Sequence, residues 1–240
     1  MGARGSAMAS RIDLLERLAL ALQRPNVDGV LGTPDIIEDL ALLGVLDDKV
    51  VVGSMNRGGL QGAAFEMDDR FTAYDVPAMC RDGMDMAKLL MRINLDDPAT
   101  ATTLESAAAA VTAAAIARLP IMVEPFMSRW QDGRVSNDLS TEAVVRSIAI
   151  ASGLGASSAY TWLKLPVVPD MERVMASTTL PTLLLGGDPT GDLDDTFDSW
   201  HRSLALPGVR GLVVGRSILY PKNGYVTSAI DSAASLVHRA

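Results

Sequence analysis

The chain has 240 residues, of which 48% are hydrophobic, so it can bury one large core. Its 21 basic residues are dispersed among 29 acidic ones and give a net charge of −8, which argues against a nucleic-acid partner, since phosphate backbones bind clustered lysine and arginine. One cysteine, Cys80, excludes an internal disulfide, and without a signal-peptide pattern the expected location is a reducing cytoplasm.

Apolar strands alternate with longer helical segments along the chain. The apolar runs predict about seven strands, near Val27, Val50, Leu89, Met122, Leu163, Leu184 and Val213. This alternation is typical of βαβ units around a parallel sheet. A repeat of about 25 to 35 residues predicts a single domain over residues 1–240 with an α/β fold, the TIM (β/α)8 barrel.

Four segments have the periodicity or composition of helices. The first is capped by Ser10, and the others begin near residues 97, 140 and 170. The alanine-rich run Ala107–Ala117 is the most membrane-like part of the chain. Because Glu105 precedes it and Arg118 follows it, the run is too short to span a bilayer, and we expect it to pack as a helix on the sheet.

The start of the chain leaves the predicted barrel one strand short. A helix begins almost at once, near residue 10, so an eight-stranded barrel has no sequence for its first strand at the N-terminus. The alternative is an open, doubly wound sheet. A barrel with this gap has two parallel edges with unpaired backbone groups, so we expect association with another chain, as in a homo-oligomer.

Lys164 stands alone in the apolar, aromatic run YTWLKLPVVPD, although lysine is among the residues least often buried. Residues two apart on a strand share a face, which places Lys164 with Trp162 and Lys88 with Arg92. The same rule places Glu124 on the less apolar face of its strand. In a barrel these faces form the interior, with the chemistry at the C-terminal rim. The alternative is that the charges reach solvent from the strand ends.

A lysine in such a place acts as a nucleophile when burial or a second cation lowers its pKa. Trp162 and Leu163 can desolvate Lys164, and Lys88 can supply the like charge. After Lys164 condenses with a ketone, the iminium accepts the electrons of the adjacent carbon–carbon bond. Glu124, directly or through Lys88 or water, is the candidate base for the proton of the departing hydroxyl.

Glycines end the last two strands, where barrels commonly bind phosphate with backbone N–H groups. The candidates for substrate or phosphate binding are Arg92, Gly186, Gly187, Gly215 and Arg216. The alternative for the glycines is that they permit tight turns. A glycine-rich insert, residues 54–75, follows the second strand, where barrel enzymes carry functional loops. Nucleotide-binding glycine motifs are absent from the sequence, so no nucleotide cofactor is expected.

Three segments in order resemble class I aldolases of the tagatose-bisphosphate type, within a wider group that includes archaeal-type fructose-bisphosphate aldolase and deoxyribose-phosphate aldolase. They are GMDMAKLLMRINLDDP, MVEPFM and YTWLKLPVVPDMERV, and the resemblance continues to GLVVGRSIL, covering residues 83–219. It implies that Lys164 is the Schiff-base lysine, with Lys88 as the second lysine and Glu124 as the acid/base. Where deoxyribose-phosphate aldolases have a further lysine on the seventh strand, this chain has LLLGGDP.

The sequence therefore predicts a class I aldolase, an aldehyde-lyase that acts on a small phosphorylated keto sugar or keto acid through a lysine Schiff base. Tagatose or fructose bisphosphate, deoxyribose phosphate and the deoxy-keto-gluconate phosphate of inositol breakdown all fit the resemblance. Two histidines are too few for a histidine-rich zinc site, so no metal and no cofactor are expected. The alternatives are a phosphosugar isomerase that uses Glu124 as base without a covalent intermediate, and a catalytically inactive, truncated barrel.

Overall fold

The computed structural model describes residues 9–56, 62–187, 193–221 and 224–238. Its strands are β1 Gly29–Gly32, β2 Val50–Ser54, β3 Met86–Ile93, β4 Ile121–Gln131, β5 Arg134–Asn137, β6 Thr161–Leu165, β7 Thr182–Leu185 and β8 Val209–Val213. The parallel strands lie in the order β1-β2-β3-β4-β6-β7-β8, while β5 pairs antiparallel with β4. The predicted set of seven parallel strands is confirmed.

The strand order identifies the fold as a TIM-barrel-like α/β fold. Each parallel strand pairs with the next parallel strand along the chain, and helices alternate with them. A doubly wound sheet changes the direction of its strand order, so that alternative is excluded. Among the described residues, β1 and β8 are the two ends of a nearly closed parallel sheet.

The helices are α1 Arg11–Leu22, α2 Pro34–Leu42, α3 Val76–Arg81, α4 Ala99–Ala117, α5 Thr141–Ser152, α6 Met171–Ala176, α7 Leu193–Leu204, α8 Arg216–Leu219 and α9 Val226–Val237. The Ser10 side chain accepts a hydrogen bond from the Asp13 amide, which confirms it as the cap of α1. Ser140 and Asp170 cap α5 and α6 in the same way. The predicted helix starts are correct at these three positions.

The helix α4 contains the alanine-rich run and extends it back to Ala99. With 19 residues it is long and apolar enough, by length and composition alone, to cross a membrane, and it is the one such helix in the described part of the chain. However, Ala107, Ala110 and Ala114 are buried in the core, and the helix packs against β3. Its place is therefore that of a core helix, as the sequence predicts, although it is longer than the alanine-rich run.

The two faces of the sheet bury two separate sets of side chains. Alternate residues face the helices, and Leu89, Val123 and Leu163 are fully buried there. The opposite faces point into the barrel, where a second apolar cluster consists of Leu31, Val52, Met86, Met122, Trp162, Leu183 and Val213. Met86 and Met122 each precede a charged residue by two positions, so this cluster forms an apolar floor under the charged part of the interior.

The strands β4 and β5 form a hairpin that the sequence analysis did not predict. β4 has 11 residues, and Trp130 near its end pairs with Val135 of β5. Asp132 and Gly133 form the two-residue loop, with φ values of 51° and 73°. Positive φ at both loop positions matches the right-handed twist of the flanking strands, so this pair of residues favours the hairpin.

Candidate active site

Three neighbouring strands bring Lys88, Glu124 and Lys164 together inside the barrel. In the register of β3 and β4, Lys88 lies beside Met122. Met122 precedes Glu124 by two residues, so the two share one face of β4. In the register of β4 and β6, Met122 lies beside Trp162. Glu124 is therefore level with Lys164, and both face the same interior space as Lys88.

One carboxylate bridges two ammonium groups at this point. Lys164 Nζ donates a hydrogen bond of 2.6 Å to Glu124 Oε1, and Lys88 Nζ lies 2.5 Å from Glu124 Oε2. The side chains of Lys88, Glu124 and Lys164 are 10%, 11% and 12% exposed. This lysine–glutamate–lysine cluster has one positive charge in excess when all three groups are ionised.

The two lysines determine the protonation state of Glu124. Burial alone raises the pKa of Glu124, because the carboxylate loses its hydration. The charges of Lys88 and Lys164, and their hydrogen bonds, outweigh that effect and lower the pKa from 4.5 to about 2. Glu124 is therefore ionised at neutral pH.

The surroundings of Lys164 shift its pKa downward. Burial lowers the pKa of Lys164, and Glu124 opposes this effect, while the charges of Lys88 and Arg216 lower the pKa further. A lower pKa increases the fraction of neutral amine, which is the form that attacks a carbonyl carbon. The direction of the shift is the one that the sequence predicts from burial and a second lysine.

Arg92 lies on the same interior face of β3, but carboxylates of the insert bind it. Its Nη2 lies 2.5 Å from Asp69 Oδ1, and its backbone amide donates to Asp69 Oδ2 at 2.8 Å. Glu66 Oε1 lies 3.9 Å from Arg92 Nη1. These three side chains are buried. The described contacts of the guanidinium are thus with carboxylates, and substrate binding by Arg92 stays a prediction.

Asn56, Glu66 and Asp69 are buried residues of the insert that the sequence analysis did not single out. The Asn56 side chain accepts a hydrogen bond from the Leu90 amide at 2.9 Å and donates one to the Leu90 carbonyl at 2.7 Å. It also donates to the Asp69 carbonyl at 2.8 Å. Asn56 therefore extends the pairing of β2 with β3 and ties the insert to it. The signal in the sequence that could have found Asn56 was its position two residues after Ser54, because residues two apart on a strand share a face.

The remaining candidates lie together at the ends of β7 and β8, which pair side by side. A Cβ at Gly186 would lie 2.6 Å from Val214 Cγ1, so close packing alone requires glycine there. Gly187 has a φ of +64°, which favours glycine in the turn. Gly215 and Arg216 stand at the start of α8. Phosphate binding by these four residues stays a prediction, since close packing accounts for Gly186 and the turn accounts for Gly187.

The helix α1 holds α8, and so holds the backbone of Arg216, in place. Arg17 Nη1 donates a hydrogen bond of 2.9 Å to the Leu219 carbonyl. The Arg17 guanidinium also lies over the Tyr220 ring, 4.6 Å from its centroid.

Across the described ranges of the chain, no group of three or more histidine, cysteine or acidic residues is placed to hold a metal ion.

A family model and a solved structure match most of the chain. The model described as Cgl0159-like matches residues 1–234. The crystal structure of Cgl0159 from Corynebacterium glutamicum (Brevibacterium flavum) is 67% identical with a TM-score of 0.94, and the match covers 96% of this chain and 78% of that chain. No match was found among curated proteins.

Two solved aldolases have a similar fold at low identity. An archaeal fructose 1,6-bisphosphate aldolase is 18% identical with a TM-score of 0.69, over 95% of this chain and 83% of that chain. A Schiff base forming fructose-1,6-bisphosphate aldolase is 21% identical with a TM-score of 0.69, over 99% of this chain and 87% of that chain. At these identities the likeness shows the shared fold alone.

Proposed function

The chain belongs to the Cgl0159-like family, and from its buried lysine–glutamate–lysine cluster we propose that its barrel carries a class I aldolase site. The proposed reaction cleaves or forms a carbon–carbon bond in a phosphorylated keto sugar or keto acid. Lys164 forms the Schiff base, Glu124 transfers the proton and Lys88 supplies a fixed positive charge. The low-identity likeness to Schiff-base aldolases is consistent with this proposal but carries only the fold.

The single observation that carries the proposal is the lysine–glutamate–lysine cluster. A buried lysine whose pKa is lowered is the feature that imine chemistry needs. A carboxylate 2.6 Å from that amine is within proton-transfer distance of the same reaction centre. The cluster lies on strands inside a barrel, where side chains are held more firmly than on loops.

The first step joins the substrate to Lys164. The neutral amine attacks the ketone carbon, and uptake of one proton with loss of one water molecule leaves an iminium that bears the positive charge. The carbon–carbon bond next to the iminium then breaks, and its electron pair moves to the iminium to give a neutral enamine. The hydroxyl proton of the departing half passes to Glu124, and that half leaves as an aldehyde. Protonation of the enamine carbon and hydrolysis by water release the ketone half and restore the amine.

Glu124 becomes more basic at the step in which the carbon–carbon bond breaks, because the charge of the cluster changes at that step. In the resting site two cations hold its pKa at about 2, so the carboxylate is a weak base. As the carbon–carbon bond breaks, the charge on the Lys164 nitrogen disappears and one of those cations is lost. The carboxylate then becomes more basic while the hydroxyl proton needs an acceptor. Lys88 stays as the cation beside the developing alkoxide.

An aldol-cleavage assay on a panel of ketose phosphates tests the proposed function. We expect a phosphorylated ketose to be split into a ketone fragment and an aldehyde, and we expect the rate to be unchanged by EDTA, because the imine supplies the electron sink. The assay detects the two fragments separately. Isomerisation of the same sugars without fragments would favour a phosphosugar isomerase that uses Glu124 as base, and no conversion of any sugar in the panel would contradict the proposal.

A further inference from the structure

The order of the strands sets the direction in which a bound ketose lies, if the proposed function holds. Glu124 on β4 lies on one side of Lys164, while β7, β8 and Arg216 lie on the other. The hydroxyl that loses its proton belongs to the aldehyde half of the substrate, so that half lies on the Glu124 side. The ketone half therefore points from the imine carbon toward the ends of β7 and β8.

On the Glu124 side, the interior leads to the end of β3, where Arg92 lies. In the register of β3 and β4, Arg92 is beside Phe126, two residues beyond Glu124 on the same face. The aldehyde half thus extends toward Arg92 and its partners in the insert. The charge at this place determines which groups that half can carry.

One guanidinium faces two buried carboxylates there. Arg92 Nη2 lies 2.5 Å from Asp69 and Arg92 Nη1 lies 3.9 Å from Glu66, and the side chains of Asp69 and Glu66 are 1% and 4% exposed. The Arg92 Nε also donates to Asp69 at 3.0 Å. Burial raises the pKa of Asp69, while the hydrogen bonds and the charge of Arg92 oppose this effect. The group of three therefore has no excess positive charge.

We propose that the aldehyde half of the substrate carries no phosphate group, and that Asp69 and Glu66 set this preference by holding Arg92. A phosphate near the end of β3 meets two buried carboxylates, and the guanidinium that could bind it is already paired with them. A neutral, hydroxylated end does not meet this repulsion. The phosphate of the substrate is therefore on the ketone half, toward Arg216.

The test compares two aldehydes in the direction of synthesis. Dihydroxyacetone phosphate is the donor, and D-glyceraldehyde or D-glyceraldehyde 3-phosphate is the acceptor. For the unmodified enzyme we expect kcat/KM to be at least about tenfold higher with the unphosphorylated aldehyde. In Asp69→Asn, Arg92 loses its main partner and becomes a phosphate ligand, so we expect the ratio of the two kcat/KM values to shift by about tenfold toward the phosphorylated aldehyde.

Asp68→Asn is the matched control. Asp68 is the preceding residue, but it pairs at 2.5 Å with Arg70, whose side chain is 69% exposed. We expect its acceptor ratio to equal that of the unmodified enzyme. Glu66→Gln is a second variant, expected to shift the ratio in the same direction as Asp69→Asn, and it serves if that variant does not fold.

Equal or better use of D-glyceraldehyde 3-phosphate by the unmodified enzyme overturns the inference. An acceptor ratio in both Asp69→Asn and Glu66→Gln that equals that of Asp68→Asn overturns the assigned role of the carboxylates. Condensation with neither aldehyde also overturns it, and borohydride trapping of dihydroxyacetone phosphate then separates the two claims. Trapping on Lys164 means that the inference alone is wrong, whereas no trapping of any ketose phosphate removes the proposed function as well.

Discussion

Replacing Lys164 by methionine is expected to reduce the turnover of a ketose phosphate by about 10⁴-fold or more. Methionine has a similar length but no amine, so the iminium cannot form and the electrons of the breaking bond have no acceptor. Glu124 keeps Lys88 at 2.5 Å, so the carboxylate is not left without a cation. Cleavage rates, measured with circular dichroism to check folding, give the comparison.

Two arginine variants separate the nucleophile from the charge. Lys164→Arg keeps a cation next to Glu124, but its guanidinium is not deprotonated in proteins, so we expect it to be as inactive as Lys164→Met. Lys88→Arg keeps the fixed charge that the mechanism assigns to Lys88, and we expect it to retain measurable turnover. An active Lys164→Arg together with an inactive Lys88→Arg would reverse the roles of the two lysines.

Replacing Glu124 by glutamine is expected to lower both turnover and stability. If Glu124 is the base, as proposed, its loss reduces kcat by about 10²- to 10⁴-fold. The change also leaves two buried lysines without their shared carboxylate, and removal of one partner from a buried ion pair costs about 3 kcal/mol or more of the free energy of unfolding near neutral pH. Urea unfolding at a series of pH values measures the second effect.

The loss of stability in Glu124→Gln is expected to become smaller both in acid and above neutral pH. The pKa of Glu124 is lowered in the folded protein from 4.5 to about 2, so its contribution is complete above pH 4.5 and is lost as the pH falls toward 2. The difference between the two proteins should therefore narrow below pH 4.5. In the variant, Lys164 has lost the carboxylate that opposes the lowering of its pKa, so it binds fewer protons than in the unfolded chain, and the stability of the variant should rise with pH above neutrality.

Glu142→Gln is the control, because it removes an exposed, paired carboxylate instead of a buried one. Glu142 pairs with Arg173 at 2.6 Å, but the two side chains are 67% and 55% exposed. Its removal is expected to change the free energy of unfolding by about 1 kcal/mol or less at every pH. A loss in Glu124→Gln no larger than this, or a loss that grows toward acid, contradicts the charge balance assigned to the cluster.

The faces of the strands could be predicted from the sequence because their side chains alternate with a period of two. Lys88, Glu124 and Lys164 each stand on the less apolar face of an apolar strand, and the βαβ pattern makes those strands neighbours in the sheet. These two rules are enough to predict that the three side chains share the barrel interior. The distances that join them are a result of the structure.

The partners of Arg92 could not be predicted in this way. Asp69 lies 23 residues before Arg92, in an irregular segment without a period that relates it to a strand. Acidic residues in a loop are most often exposed, so Glu66 and Asp69 gave no signal of burial. The hairpin was missed for another reason: Pro125 interrupts the apolar run of β4, which hides how far that strand continues toward the Asp132 and Gly133 turn.

The most direct measurement of the central claim is borohydride reduction in the presence of dihydroxyacetone phosphate, followed by peptide mass mapping. Hydride reduces an iminium to a stable secondary amine, so the mass of the ketone fragment stays on the residue that formed it. We predict this mass on the peptide that contains Lys164, and its absence from that peptide in Lys164→Arg. A label on Lys88, or an enzyme that cleaves its substrate without any label, would contradict the assignment of Lys164 as the Schiff-base lysine.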